Sequence, residues 1–418
     1  MQMNRRFFLH KGALAVAGTA AIPHFLIRSV MAETAANPGR RLVVVFQRGA
    51  ADGLNIVVPY REKNYYAMRP GIAIPQNQVL DLDGFFGLHP SLASFKPLFD
   101  VGQLAIVHAT GSPDATRSHF DAQDYMESGT PSVKSTPDGW LNRALQAEDS
   151  CCGARHAQEH TAFRALALGN DVPRTLAGKI PAIALSNVNG FQVAGRGPAL
   201  SPVASAFEAM YADSGDRIFH SAGDETFDAV KMLRAANPAQ YTPSLGVNYP
   251  TSEFGKNMMQ IAQLLKANLG VEAAFTDVNG WDTHVNQGSV NGQLANRLSD
   301  FSASIGAFWR DMGDDAANIT LVTMSEFGRT ARENGTGGTD HGHANAMFVL
   351  GGDVKGGKVY GRWPGLANEQ LNEGRDLVLT TDYRQVIGEV VNRTLGARNL
   401  EFVFPGAQLS PNGFLRLV

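Results

Sequence analysis

The chain has 418 residues, of which 44% are hydrophobic and 18% charged, and a formal net charge of -3. That length supports one large core, or a core with an insertion. The mild acidity excludes the basic footprint of a nucleic-acid binder, and 44 glycines suit a loop-rich enzyme better than a helical bundle.

Residues 1–32 read as an export signal. Asn4-Arg5-Arg6-Phe7-Phe8-Leu9 precedes a weakly apolar run that closes on Val30-Met31-Ala32, giving basic, apolar and small-residue zones. The paired arginines followed by Phe and Leu resemble a twin-arginine signal. Gly18, Pro23, His24 and Arg28 interrupt the run, which leaves it short for a membrane span. The mature chain, 33–418, is therefore expected in the periplasm or outside the cell, with no stable span. Export in the folded state allows a metal to be loaded beforehand.

The mature chain opens with a continuous apolar run at 41–46, as expected of a strand buried on both faces of a parallel sheet. It runs into Gly49-Ala50-Ala51-Asp52-Gly53. A second strand is predicted at 104–109, leading to Arg117-Ser118-His119-Phe120 and a helix from Ser118 to Met126. Ser118 is then either an ordinary N-cap or a group presented at a helix N-terminus. Residues 131–250 are rich in Ala, Gly and Pro, with short strand-like pieces at 165–168 and 181–185 and helical patches at 205–211 and 226–235. This region reads as an insertion or cap over the sheet edge. Its adjacent Cys151 and Cys152 exclude a C-x-x-C zinc pattern and any long-range disulfide within the chain. They are either a strained vicinal pair or two ordinary thiols.

Regular alternation resumes with a helix at 254–269, a strand at 273–278, a long helix at 294–312 and a strand at 319–324. A further strand follows at 346–352, and a late helix spans 382–395, capped by Thr380 or Thr381. Repeated strand, loop and helix predict an α/β fold: a three-layer α/β/α sandwich around a mostly parallel sheet.

Chemistry gathers in the loops. Asp52 follows one predicted strand, Ser118 and His119 another, Asp282 and His284 a third, and Glu326 and Arg329 a fourth. Asp340, His341 and His343 sit in a glycine-rich loop before the next strand. Parallel strands place the first four loops on one edge, where α/β folds hold their ligands. Asp, Glu and His at this density suit zinc or a similar divalent ion, one or two in number, with calcium, magnesium or manganese as alternatives. Such ions assist displacement at phosphorus or sulfur. Each residue also has a plainer reading. Asp52 beside Gly53 shapes a turn, His119 is a supporting donor, and Glu326 pairs with Arg329. Arg329 otherwise grips a phosphate or sulfate oxygen. His89, His108 and His220 lack such company and read as structural.

The segments 44–55, 117–120, 280–284, 325–330 and 338–343 resemble a twin-arginine-exported bacterial family catalogued as domain of unknown function 1501. That family is similar to a distant branch of the alkaline phosphatase and sulfatase superfamily. The resemblance implies an alkaline phosphatase-like fold, Asp52 as an early metal ligand and Ser118 as nucleophile. It makes Asp282, His284, Glu326, Asp340, His341 and His343 the pool of later ligands. It also implies a metal-dependent hydrolase acting on a small-molecule or glycan ester of phosphate or sulfate. The alternative is an exported non-catalytic protein that binds metal or polysaccharide in envelope assembly. A redox role is disfavoured, because no G-x-G-x-x-G follows the first strand and no thiolate cluster exists.

Overall fold

Strand β1 (Arg41–Arg48) carries Leu42, Val44 and Phe46 into one apolar cluster and Val43 and Val45 into another. All five side chains are fully buried, which is the reason for the unbroken apolar run: alternate side chains point to opposite faces and both faces are covered. A computed structural model describes residues 39–151, 161–188, 232–233 and 240–409. The export signal, Cys152, His220, the helical patch at 205–211 and most of that at 226–235 lie outside the described residues.

The strands that follow are β2 (Val57–Val58), β3 (Leu80–Asp81), β4 (Gly87–Leu88), β5 (Leu104–Gly111), β6 (Ala165–Leu168) and β7 (Ile183–Leu185). After them come β8 (Ala273–Asn279), β9 (Ile319–Ser325), β10 (Asn345–Gly351), β11 (Lys358–Tyr360) and β12 (Thr381–Asp382). The central sheet has nine strands in the order β11-β5-β10-β9-β1-β8-β6-β7, with β12 also on β5, while β2, β4 and β3 form a small separate sheet. Within the central sheet β10 alone runs antiparallel to its neighbours β5 and β9; the other pairings are parallel.

The long helices are α1 (His119–Ser128), α2 (Trp140–Cys151), α3 (Glu253–Lys266), α4 (Gln293–Met312) and α5 (Tyr383–Thr394). Helices α3 and α4 pack on the face that holds Val43 and Val45, through Met258, Ile261, Leu298, Phe301 and Ile305. Helices α2 and α5 cover the opposite face, through Leu141, Leu145, Val386 and Val390. The architecture is thus a three-layer α/β/α sandwich with a mostly parallel sheet.

The stretch 131–250 contributes α2 to one outer layer and β6 and β7 to the sheet, joined to β8 in parallel. Helix α5 is capped by Asp382, whose carboxylate accepts from Arg384 N at 2.9 Å, and not by Thr380 or Thr381. Helix α3 stops at Lys266, short of Leu269, where Asn268 turns to φ 53°. Among the described residues no helix is long and apolar enough to cross a membrane.

Candidate metal centre

The exits of β1, β5, β8 and β9 share one edge of the sheet because these strands run in the same direction. The reversal of β10 brings its entry loop, 338–344, to that same edge. Backbone pairing then seats the loop: Gly342 N donates to Gly328 O at 2.8 Å, Gly328 N to His343 O at 2.7 Å, and Thr330 N to Asp340 O at 2.9 Å. The approach is too close for side chains at two points. A Cβ on Gly342 would lie 2.4 Å from Arg329 C, and one on Gly338 would lie 2.2 Å from His284 O. Glycine at these positions is a steric requirement of the loop stack.

Three imidazoles converge there. His341 Nε2 lies 3.0 Å from His119 Nε2 and 3.0 Å from His284 Nε2. The Asp282 carboxylate completes the group, at 3.0 Å from His284 Nε2, 3.3 Å from His341 Nε2 and 3.5 Å from His119 Nε2. Ligand atoms of His119, Asp282 and His341 all lie within 4.8 Å of one another. Asp282 and His284 stand at the solvent-facing side, while His119 and His341 are half-buried.

The far nitrogen of each ring decides what the near one offers. His119 Nδ1 meets Glu326 Oε1 at 2.8 Å, His284 Nδ1 meets Asp340 Oδ1 at 3.2 Å, and His341 Nδ1 meets the Arg117 carbonyl at 2.9 Å. Every one of these partners is an acceptor, so each Nδ1 carries the proton. In the neutral rings all three Nε2 atoms then present lone pairs to one another and to a carboxylate. Such an arrangement is repulsive by itself and is relieved by a cation. It is a donor set that could hold a divalent metal, with each histidine oriented by an acceptor behind it.

The acidic side chains are tuned to stay ionised. Burial opposes the charge of Asp282, but the Arg329 guanidinium, donating at 2.6 Å, outweighs it and holds the carboxyl below its usual range. Burial likewise opposes the charge of Glu326, and bonds from His119, Gln123 and Gly49 overcome it. The Asn334 amide is the main cause that lowers Asp340. The hydrogen bond to Glu326 raises His119, whereas burial lowers His341. A proton entering the metal-free cluster therefore settles on His119 before His341.

The other sequence candidates occupy neighbouring positions with different partners. Asp52 is fully buried and pairs with Arg69 through both oxygens, at 2.6 and 3.0 Å, while Gln287 donates to it at 2.7 Å. Ser118 is exposed and caps α1, its Oγ accepting from Asp121 N at 3.5 Å. His343 Nε2 turns to the Ser112 carbonyl at 2.9 Å, and Asp340 supports His284 from behind. Arg329 is buried and spends its guanidinium on Asp282 and on the Thr339 hydroxyl and carbonyl. The structure thus brings His119, Asp282, His284 and His341 into one cluster, with Glu326, Asp340 and Arg329 against its outer side.

Several participants escape sequence reasoning. Arg69 and Gln287 bind Asp52, the Arg117 carbonyl orients His341, and Gln123 donates to Glu326 at 2.9 Å. Gln123 had a weak signal, lying four residues after His119 on one helix face. The others are joined only by long-range packing.

The chain matches the profile of a family described as "Protein of unknown function (DUF1501)" over residues 39–401. No curated protein matches it. Among solved structures it is similar to the C-terminal periplasmic domain of EcEptC from Escherichia coli in complex with Zn, at 10% identity over 76% of this chain and 74% of that one, with a TM-score of 0.35. It is also similar to PsFucS1 sulfatase from Pseudoalteromonas sp., at 11% identity over 95% and 75% of the two chains and a TM-score of 0.34. A protein in the alkaline phosphatase superfamily from Vibrio parahaemolyticus aligns at 10% identity over 80% and 70%, with a TM-score of 0.31. At these values no residue's role carries over from them.

Proposed function

The chain belongs to this family of unknown function, and from the cluster it carries we propose an exported, metal-dependent hydrolase of phosphate or sulfate esters. The observation that supports the reading is the convergence of three imidazole lone pairs and a carboxylate on one point, each ring held in its ligand tautomer. His119, Asp282, His284 and His341 would hold the ion, and this nitrogen-rich set favours zinc. When bound, a divalent ion supplies Lewis acidity toward an oxygen of the ester's anionic group.

The chain's own residues do the rest. Arg329 keeps Asp282 ionised and aimed, and Glu326, Asp340 and the Arg117 carbonyl keep the three rings from turning. Ser118 is the nucleophile in this reading, an exposed hydroxyl one residue before His119. Its oxygen forms a bond to phosphorus or sulfur as the ester bond breaks and the alcohol leaves with a proton. Water then cleaves the serine ester, restoring the hydroxyl and releasing phosphate or sulfate. Residues 1–32 support a location beyond the cytoplasmic membrane, and the substrate is a small-molecule or glycan ester.

Elemental analysis of the folded, exported protein, with turnover of 4-nitrophenyl phosphate and 4-nitrophenyl sulfate, tests this. Stoichiometric zinc and a turnover abolished by chelator are expected, together with loss of both in His341→Ala. Folded protein without stoichiometric metal would sink the proposal, and manganese or calcium in its place would correct the ion.

One observation favours the second reading, a non-catalytic metal-binding protein of the cell envelope. The Ser118 hydroxyl already accepts the α1 cap bond. Metal without turnover, and indifference to Ser118→Ala, would select that reading.

A further inference from the structure

Gln287 is fully buried, and the chemistry proposed above makes no use of it. A primary amide out of water is costly unless its hydrogen bonds are met. Here the partners come from three separate segments. Thr283 Oγ1 donates to Gln287 Oε1 at 2.7 Å, and Thr339 Oγ1 donates to the same oxygen at 2.9 Å. Gln287 Nε2 donates to Asp52 Oδ2 at 2.7 Å. Both threonines are buried as well.

The partners fix the direction of each bond. Asp52 accepts from Arg69 through both oxygens, so it meets the amide nitrogen of Gln287 and not the oxygen. Arg329 Nε donates to Thr339 Oγ1 at 3.1 Å. A guanidinium only donates, so the hydroxyl proton of Thr339 is left for Gln287 Oε1. The same guanidinium donates to Asp282 at 2.6 Å. An unbroken series of hydrogen bonds therefore joins Asp282, Arg329, Thr339, Gln287 and Asp52. A branch from Gln287 ends on Thr283, which stands between Asp282 and His284 in the chain. The two loops also touch directly, where Thr339 N donates to the Thr283 carbonyl at 3.2 Å.

Apolar side chains of the same shape would fill this space with little loss of stability. What a satisfied buried network adds is one specified arrangement. Here it fixes the spacing of the β1 exit, the loop after β8 and the loop before β10.

We infer that Gln287 is a positioning residue of the candidate metal centre. It ties the Asp282–His284 loop and the His341 loop to the Asp52–Arg69 pair, so Asp52 acts on the centre through Gln287 and not as a ligand. This rests on the metal site of the proposed function and is independent of Ser118.

The full mature protein is compared as wild type, Gln287→Met, Thr283→Val, Thr283→Ser and the paired variant Gln287→Met/Thr283→Val. Methionine keeps the length of glutamine without its bonds, and valine keeps the shape of threonine without its hydroxyl. Zinc affinity of the folded protein is read by competition with a chromogenic chelator. Ligand geometry is read from the visible spectrum of the cobalt(II)-loaded form. Gln287→Met is expected to weaken zinc binding roughly 3- to 10-fold, somewhat less than loss of a ligand's own support. Thr283→Val should weaken it about 2- to 5-fold, with Thr283→Ser close to wild type, and the cobalt bands should shift in both weakened variants. The paired variant should be no weaker than Gln287→Met, because the Thr283 hydroxyl acts through that amide. Wild-type affinity and unchanged cobalt bands in Gln287→Met and Thr283→Val, even with a lower Tm, would show that the amide only holds the fold and would overturn the inference. Losses that add in the paired variant overturn it too. If Gln287→Met does not fold, Thr283→Val against Thr283→Ser decides by the same two readings.

A wild type that takes up neither zinc nor cobalt sinks the metal reading, and the metal-free protein then decides. The imidazole NMR signals of His341 should still move in Thr283→Val, while those of His108, bonded to the Val57 carbonyl, stay in place. Unmoved His341 signals overturn the inference.

Discussion

Glu326→Gln isolates the coupling between a buried carboxylate and the candidate metal centre. Glu326 is 1% exposed and sits among Gly49 N at 2.8 Å, Gln123 Nε2 at 2.9 Å, His119 Nδ1 at 2.8 Å and Ser325 Oγ at 3.1 Å. Three of the four meet Oε1 and only the serine hydroxyl meets Oε2. A glutamine with its oxygen in place of Oε1 keeps the first three bonds, and its amide faces a hydroxyl able to accept. The fold should therefore survive, with Tm within a few degrees. What disappears is the charge on the acceptor behind His119. Loss of such a support costs roughly 10- to 100-fold in metal affinity, or about 1.4–2.7 kcal/mol. The assay is zinc competition against a chromogenic chelator at fixed pH, paired with NMR titration of His119 in the metal-free protein. The His119 titration should move toward lower pH, since the hydrogen bond to an ionised Glu326 and the charge of that carboxylate raise it, and glutamine leaves only a neutral acceptor. Wild-type affinity together with an unmoved titration would refute the reasoning. Glu326→Ala makes the contrast: it strips partners from several donors at once, and each buried unpaired donor costs about 1–3 kcal/mol, so it should unfold more readily.

Arg69→Ala leaves the Asp52 carboxylate buried and unpaired, a loss of about 3–5 kcal/mol; denaturant unfolding should show this, with zinc per folded molecule unchanged if Asp52 is structural. Zinc affinity should fall as pH drops through the imidazole range, because protons compete for Nε2, and a pH-independent competition titration would contradict the three-histidine set. Asp311 is a buried hub for Lys266 at 2.6 Å, Tyr249 at 2.8 Å, Ser244 N at 2.8 Å and the Tyr241 hydroxyl. Burial opposes its charge, yet these donors hold the carboxyl down at about 2. Its folded value is thus below the unfolded one, so its contribution of about 2 kcal/mol is present above about pH 4 and lost as pH falls toward about 2; Asp311→Asn should flatten that acid limb in thermal melts across pH. Replacing Arg5 and Arg6 with lysine should leave the protein in the cytoplasmic fraction on cell fractionation, and normal export of that variant would remove the twin-arginine assignment.

Much was already legible in local sequence. The run 41–46 reported a strand covered on both faces, because alternate side chains of a parallel strand have no solvent side to face. The loops carrying His119, Asp282 with His284, and Asp340 with His341 declared themselves by residue type, since imidazole and carboxylate in glycine-rich turns contribute little to a core. Other features belong to tertiary structure alone. Hydrophobic periodicity reports which residues are buried but not which way a strand runs, so it could not show that β10 is reversed and that an entry loop joins four exit loops. Residue type could not separate Asp52 from Asp282 either, because each is an aspartate soon after a strand. Packing separates them: Arg69 is folded over Asp52 and excludes water, whereas Arg329 holds one oxygen of Asp282 and leaves the carboxylate facing three imidazoles. The tautomer of each histidine is likewise set by an acceptor distant in sequence, Glu326, Asp340 or the Arg117 carbonyl. Sequence therefore determined which residues could bind a cation. Only the fold decided which lone pairs meet, because that depends on strand direction and on partners brought together by packing.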